Sequence, residues 1–213
     1  DALPIYIKTL LKKYTFVSLD EIFTTNKKNC IALTVDDGYE DVLSILPFIE
    51  KYQIPLTLFV LGNPQKANRI ELDHSGKLLT FSQLKALQKK GVVIGSHSMT
   101  HANLGAVSFE QLKDEILGSK KMLEQKLNTK IQYFAFPKGV YTDTALKLVK
   151  QAKYKAAFTV VSAPVGEYSL LTPRTIIDQF YSDREIISLL NPVVTFLKQT
   201  MNKINFWRLM PNI

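Results

Sequence analysis

Apolar residues along this chain alternate between short continuous runs and stripes spaced three and four residues apart. Residues 30–36 form an apolar run that breaks at Gly38, which predicts a buried strand. The next stripe follows the spacing i, i+3, i+4 and i+7, which predicts an amphipathic helix that ends near Tyr52. Its members are Val42, Ile45, Leu46 and Ile49.

The same alternation continues along the chain. Capping-box patterns at residues 80–83 and 108–111 predict the starts of two helices, and residues 62–79 read as a long loop. Further strands are predicted at residues 56–61, 92–95, 132–136, 156–161 and 174–177, and further helices at residues 3–14, at 143–152 and from Ser182. Strands that alternate with helices indicate a parallel sheet with crossover helices. We therefore expect one α/β domain over residues 1–213, a closed or nearly closed barrel with a C-terminal helical segment at 182–213.

Composition narrows the functional classes only slightly. The chain has 213 residues, of which 46% are hydrophobic and 22% charged, as in an ordinary globular domain. The net charge of +8 comes from lysines spread along the predicted helices, without an arginine-rich block, so we expect no nucleic-acid partner. The single Cys30 stands in an apolar run and is interpreted as a small buried side chain. The apolar residues of 191–213 predict a helix that covers the barrel, with an interfacial membrane helix as the alternative.

The first candidate chemistry lies at the end of the first predicted strand. Asp36 and Asp37 are adjacent, so they can face one pocket only where the backbone turns, and Gly38 permits such a turn. Two crowded carboxylates repel unless a cation or an arginine compensates them. The alternative is that one of them caps the following helix.

A second feature follows the strand predicted at 92–95. His97 and His101 are four residues apart and could bind one divalent ion, although two surface histidines are the alternative. Together with Asp37 they supply one oxygen and two nitrogens, the ligand set of a catalytic zinc-type site with an open position. Asp36 would then stand beside the metal, where it could act as a base.

These motifs resemble the polysaccharide deacetylase family with the NodB homology domain, carbohydrate esterase family four. Residues 34–38 (Thr-Val-Asp-Asp-Gly) match its first motif, and residues 97–101 (His-Ser-Met-Thr-His) match its second. Residues 134–139 (Phe-Ala-Phe-Pro-Lys-Gly) look like its third, and the resemblance runs from about residue 30 to 177. The family's fold is a distorted (β/α) barrel, so we expect about seven strands here, with the barrel incomplete at the N-terminus as an alternative.

The resemblance implies a metal-dependent hydrolase that removes N-acetyl groups from amino sugars of a bacterial cell-surface glycan. It makes Asp36 the general base and implies metal binding by Asp37, His97 and His101, with zinc expected and cobalt or nickel as alternatives. The backbone N–H after Pro137, that of Lys138, would stabilise the oxyanion, and Tyr39 is expected near the substrate. We expect a location in the cell envelope or periplasm, with the cytoplasmic face of the membrane as the alternative. A catalytically silent carbohydrate-binding relative is the alternative function.

Two departures from the family pattern matter. The family places an arginine two residues before the proline of the third motif, where this chain has Ala135; we expect Arg174, at the start of a short strand, to replace it. An ordinary surface role is the alternative for Arg174. The family also takes its general acid from a later histidine, and none follows His101, which leaves His74 as a candidate.

A further hypothesis addresses this missing acid. An upstream segment of the natural protein could supply a first strand that closes the barrel and carries the acid histidine. We then expect an open seam beside residues 31–36 and a metal site exposed on that side.

Overall fold

A single parallel sheet of six strands organises the computed structural model, which describes residues 3–72, 76–160, 170–177 and 182–190. The strands of this sheet are β3 (Leu33–Val35), β4 (Leu56–Val60), β5 (Val93–Ser96), β6 (Tyr133–Ala135), β7 (Ala156–Thr159) and β8 (Leu171–Pro173). Their spatial order equals their chain order, and all five pairings are parallel. The predicted distorted (β/α) barrel is confirmed, with six strands in the described sheet rather than about seven.

Eight α-helices lie before, between and after the strands in the described ranges. They are α1 (Leu3–Leu11), α2 (Leu19–Ile22), α3 (Val42–Lys51), α4 (Phe81–Lys89), α5 (Phe109–Lys113), α6 (Ser119–Leu127), α7 (Asp143–Gln151) and α8 (Asp183–Leu189). A π-helical segment, Asp114–Gly118, joins α5 to α6, and 3₁₀ turns occur at Pro64–Lys66 and Pro137–Gly139. Both predicted capping boxes form, at Thr80 with Gln83 and at Ser108 with Gln111. None of the helices in the described ranges is long and apolar enough to cross a bilayer.

Two apolar layers cover the faces of the sheet. The larger cluster includes Leu58 and Phe134 and packs the sheet against the connecting helices. The smaller cluster contains Phe59, Tyr133 and Phe158, which project to the opposite face because neighbouring side chains in a strand alternate. Leu19 of α2 joins this smaller cluster, together with Ala135 and Ala156. The barrel interior is therefore filled by side chains, as in other barrels of this size.

A short parallel pair, β1 (Thr15–Phe16) with β2 (Cys30–Ile31), stands beside the main sheet. The strand predicted at residues 30–36 is thus split between β2 and β3, and it is half-buried rather than buried. The physical reason is that β3 is an edge strand, paired with β4 alone among the described strands. Cys30 is likewise half-buried, which corrects the expectation of a buried side chain.

The other corrections concern element boundaries. The last strand ends at Pro173, so the strand predicted at 174–177 was wrong: Arg174 follows β8 and donates its N–H to the carbonyl of Thr159. The first helix ends at Leu11 rather than near residue 14. The predicted segment 191–213 and His74 lie outside the described residues, and the single-domain assignment of residues 1–213 stays a prediction.

Candidate metal centre and catalytic site

Asp36 and Asp37 lie in a tight turn directly after β3. The N–H of Gly38 donates to the carbonyl of Asp36 at 2.8 Å, and Asp37 adopts a left-handed backbone with φ 67°. Gly38 follows with φ 76°, and an added Cβ at Gly38 would lie 2.9 Å from Val60 Cγ1, so a larger residue would not fit. This reversal lets two adjacent carboxylates face the same pocket.

His97 follows β5 and is only 2% exposed. Its Nδ1 lies 2.9 Å from the carbonyl of Ala135 in β6. Because a carbonyl only accepts hydrogen bonds, Nδ1 must carry the proton, which leaves the lone pair of Nε2 available to a metal ion. The position that lacks the family's arginine side chain therefore still orients a site histidine through its backbone.

Asp37, His97 and His101 converge, with one ligand atom of each lying within 4.8 Å of the others. Asp37 Oδ1 is 3.3 Å from the Nε2 atoms of both histidines. This oxygen is buried and has no hydrogen-bond partner among the described residues. Two atoms bound to one tetrahedral zinc ion at about 2.1 Å would lie about 3.4 Å apart. The three side chains therefore fit a divalent cation, which would also satisfy the buried, unpartnered oxygen of Asp37.

Asp36 is paired with Arg174. The guanidinium donates from Nη1 to Oδ1 and from Nη2 to Oδ2, both at 2.7 Å, and Nη1 also donates to Thr34 Oγ1 at 3.1 Å. The guanidinium carbon lies 5.2 Å from the ring centre of Phe59 and 5.8 Å from that of Phe158. The contact between Arg174 and Asp36 is the one predicted from the sequence.

Opposite charges set the protonation of these groups. Burial alone would raise the pKa of the Asp36 carboxyl, but the charges of Arg174 and the imidazoles outweigh burial and lower it. Burial alone would lower the pKa of His97, but the carboxylates of Asp36 and Asp37 raise it above its usual value. Asp36 is therefore ionised at neutral pH.

The third motif forms a turn at the rim of the site. Pro137 is buried, and Lys138 adopts a left-handed backbone with φ 52°. The N–H groups of Gly139 and Val140 donate to the carbonyls of Phe136 and Pro137. Lys138 Nζ forms an ion pair with Glu71 Oε2 at 2.8 Å, a contact that the sequence did not predict.

A cavity of about 810 Å³ connects these groups and continues along β3. Its lining includes the polar side chains of Asp36, Asp37, Lys138 and Arg174 and the apolar side chains of Phe16 and Ile31. The open seam expected beside residues 31–36 stays a prediction, whereas His97 and His101 are buried rather than exposed on that side. Tyr39 is also buried, at 6% exposure, and its contact with substrate stays a prediction.

Comparisons with known proteins bear on this site. The sequence model of the family described as Polysaccharide deacetylase matches residues 24–157. The chain is 27% identical over 157 residues to the putative polysaccharide deacetylase YxkH of Bacillus subtilis, covering 70% of this chain and 53% of that protein. It is 29% identical over 161 residues to the peptidoglycan-N-acetylmuramic acid deacetylase PdaA of Bacillus subtilis, covering 73% of this chain and 54% of the relative. The chain thus spans about half the length of these relatives.

A solved structure supports the fold. The Streptococcus pyogenes deacetylase PplD, determined in complex with acetate, superposes with a TM-score of 0.73 at 24% sequence identity. The superposition covers 88% of this chain and 84% of that one. At this identity the likeness establishes the shared barrel architecture.

Proposed function

The chain belongs to the polysaccharide deacetylase family, and we propose that it hydrolyses the N-acetyl group of an amino sugar in a bacterial cell-surface glycan, with the help of a divalent metal ion. One observation carries this proposal: the buried oxygen of Asp37 lies 3.3 Å from two imidazole nitrogens, next to a carboxylate fixed by an arginine. A cation site beside an oriented base is an arrangement that can hydrolyse an amide by activating water.

Asp37, His97 and His101 would hold the ion. Their mixed oxygen and nitrogen donors favour zinc, with cobalt or nickel as alternatives. When bound, such an ion supplies Lewis acidity, which polarises the acetamide carbonyl and lowers the pKa of water. The hydrogen bond from His97 Nδ1 to Ala135 keeps Nε2 directed at this position.

Asp36 is the proposed general base. It would accept a proton from the water that attacks the acetamide, and its lowered pKa keeps the carboxylate ready to do so at neutral pH. Arg174 binds both carboxylate oxygens and so fixes the plane of the group. Each oxygen retains a further lone pair, so the pairing orients the base without blocking it.

The backbone N–H of Lys138 is the proposed donor to the oxyanion. Such donors act where negative charge develops, and Lys138 lines the cavity that contains Asp36 and His97. The left-handed backbone of Lys138 is held on both sides by the turn hydrogen bonds of Gly139 and Val140. A strained residue that its surroundings hold in place is typical of functional sites.

The proposed partner is an N-acetylated glycan of the cell envelope, and the envelope or periplasm is the proposed location. The similarity to PdaA, a peptidoglycan-N-acetylmuramic acid deacetylase, supports peptidoglycan as the first substrate to test. A surface contact with the membrane through residues 191–213 also remains a proposal.

The decisive experiment measures acetate released from a panel of N-acetylated substrates. Peptidoglycan fragments and N-acetylglucosamine oligomers are incubated with zinc-loaded protein, with chelator-treated protein and with the latter after zinc is restored. We expect release that the chelator abolishes and zinc restores. Binding of a glycan by the zinc-loaded protein, without acetate release from any substrate, would instead establish the catalytically silent carbohydrate-binding alternative.

A further inference from the structure

Glu115 lies beneath the metal-binding loop, and we propose that it is a positioning residue for the metal centre. Its carboxylate holds the backbone between His97 and His101 so that both imidazoles face Asp37. This role presupposes the proposed metal site, and it can be measured by metal binding without turnover.

The contacts of Glu115 are directed at the loop backbone. The side chain is buried, at 6% exposure, and Oε2 accepts hydrogen bonds from the N–H groups of Met99 and Thr100, both at 2.9 Å. Oε1 accepts the hydroxyl of Thr100 at 2.6 Å. A buried carboxylate with three donors on two adjacent residues fixes those residues firmly, because each lost bond would leave a buried polar group unpaired.

Several other backbone groups of the loop are also paired. The carbonyls of Ser98, Met99 and Thr100 accept from the N–H groups of residues 62, 63 and 68, and the N–H of His101 donates to Ser98 Oγ. The N–H groups of Met99 and Thr100 are the two that Glu115 binds. Ser98 and His101 also have left-handed backbones, with φ 70° and 63°, a conformation that non-glycine residues hold only where neighbours enforce it.

The π-helical segment explains how Glu115 reaches the loop. Within Asp114–Gly118 the helix widens, and the N–H of Ser119 donates to the carbonyl of Asp114, five residues earlier. Tyr154 Oη and Ser119 Oγ donate to the carbonyl of Ile116 and so support the widened turn. π-helical turns of this kind occur frequently at functional sites.

Close packing holds this segment against the loop. An added Cβ at Gly118 would lie 3.1 Å from Met99 Cε, and one at Gly62 would lie 2.9 Å from Met99 Sδ. Met99 therefore fits between two glycines and leaves the helix near enough for Glu115 to reach the backbone.

Two conservative variants distinguish the effect of the length of the Glu115 side chain from the effect of its charge. Glu115→Gln removes the charge but keeps the length: the amide oxygen can accept both N–H groups, and the amide nitrogen can donate to Thr100 Oγ1. Glu115→Asp keeps the charge but is one methylene shorter, so it cannot hold both residues. Glu124→Asp is the matched control, since Glu124 lies on α6 and accepts the N–H of Ile131 at 3.1 Å, away from the site.

The experiment measures the zinc Kd of each protein by competition with a chromogenic chelator, with thermal unfolding of the metal-free proteins as the check on folding. We expect Glu115→Asp to raise the Kd about 10–100-fold. Glu115→Gln and Glu124→Asp should keep a Kd close to that of the wild type, and all metal-free variants should unfold cooperatively.

If Glu115→Asp bound zinc with the wild-type Kd, the positioning role would be overturned. An increase in the Kd of Glu115→Gln as large as that of Glu115→Asp would also overturn it, because the charge of Glu115 rather than its geometry would then be responsible. If Glu115→Asp fails to unfold cooperatively, the zinc Kd of Glu115→Gln still distinguishes side-chain length from charge, because this variant keeps the length and loses the charge. If the proposed metal site itself were wrong, the result would differ from both of these outcomes, because the wild-type protein would bind zinc no more tightly than Asp37→Asn.

Discussion

Four non-glycine residues of the site have left-handed backbones: Asp37, Ser98, His101 and Lys138, with φ between 52° and 70°. Each such residue is strained by roughly 1–2 kcal/mol. At Asp37 the strain aims a carboxylate at the histidines instead of at the opposite face of the strand. The strain is thus the energetic cost of gathering groups that a regular strand would separate.

The two adjacent aspartates should respond differently to the same substitution. Asp36→Asn should lower deacetylation by about 10²–10⁴-fold, because the proposed general base would be lost. It should leave the zinc Kd nearly unchanged, since Asp36 lies outside the ligand set. Asp37→Asn should instead raise the zinc Kd. Titration of zinc and acetate release on both variants checks this, and near-normal turnover by Asp36→Asn would show that the base is misassigned.

Arg174→Lys tests how much the bidentate contact between Arg174 and Asp36 contributes to catalysis. Lysine keeps the positive charge but cannot bind both carboxylate oxygens in one plane. We expect kcat/KM to fall about 10–100-fold while the zinc Kd is retained. Steady-state kinetics on the best substrate gives the answer, and unchanged kinetics would mean that charge alone suffices.

The sequence predicted which residues would gather at the site, but not all of the residues that hold them in position. Asp36 ends a predicted strand, and Asp37, His97 and His101 follow predicted strands, so their convergence could be foreseen. Glu115 could not, because a glutamate in an amphipathic helix reads as a solvated residue, and only the π-helical turn directs it inward.

At the scale of elements, local signals predicted helix starts better than strand ends. The capping boxes at Thr80 and Ser108 depend on side chains three residues apart and form as expected. The last strand was predicted at the wrong residues because Thr-Ile-Ile at residues 175–177 has high β-propensity. In the structure, the ladder with β7 involves Leu171–Pro173. Pairing partners, which are remote in sequence, decide such boundaries.

Helix α2 is attached to the sheet by a polar contact that depends on pH. Asp20 pairs with Lys155 and accepts the hydroxyl of Tyr133 at 2.7 Å, and these partners lower the pKa of Asp20. A carboxyl whose pKa is lower in the folded state adds stability above its ordinary pKa of 3.8, and the gain is lost as pH falls through the folded-state value.

Asp20→Asn should therefore reduce the free energy of unfolding at pH 7 by at most about 1 kcal/mol, because the pair is exposed. The difference from wild type should shrink as pH falls below 3.8. Urea unfolding at several pH values measures it, and Glu50→Gln, which removes the exposed pair with Lys90, serves as the control. A difference independent of pH would show that the carboxylate charge contributes nothing.

Across the whole molecule, the site joins parts of the chain that are distant in sequence. Asp37 follows β3, the two histidines follow β5, and Arg174 follows β8, at the other edge of the sheet. The contact of Arg174 with Asp36 and Thr34 therefore links the two edge strands through side chains. The alternation of strands and helices predicted this architecture, because parallel strands place their carboxyl ends on one side.

Zinc should stabilise the entire fold, because its proposed ligands come from two strands. At free zinc 100 times above the Kd, the gain is about 2.7 kcal/mol, provided that the unfolded chain does not bind the ion. Thermal unfolding with zinc and with chelator should show a higher Tm with zinc, and the difference should vanish in Asp37→Asn. An equal shift in that variant would mean that zinc binds elsewhere.

The position of Arg174 also has an evolutionary consequence. In the family pattern the guanidinium comes from position 135, and here it comes from position 174, yet both residues adjoin Phe158, through the ladder of β6 with β7 and through the ring contact. We infer that the location of the guanidinium matters more than which strand carries it. We therefore expect relatives to carry arginine at only one of the two positions, and an alignment of the family would check this.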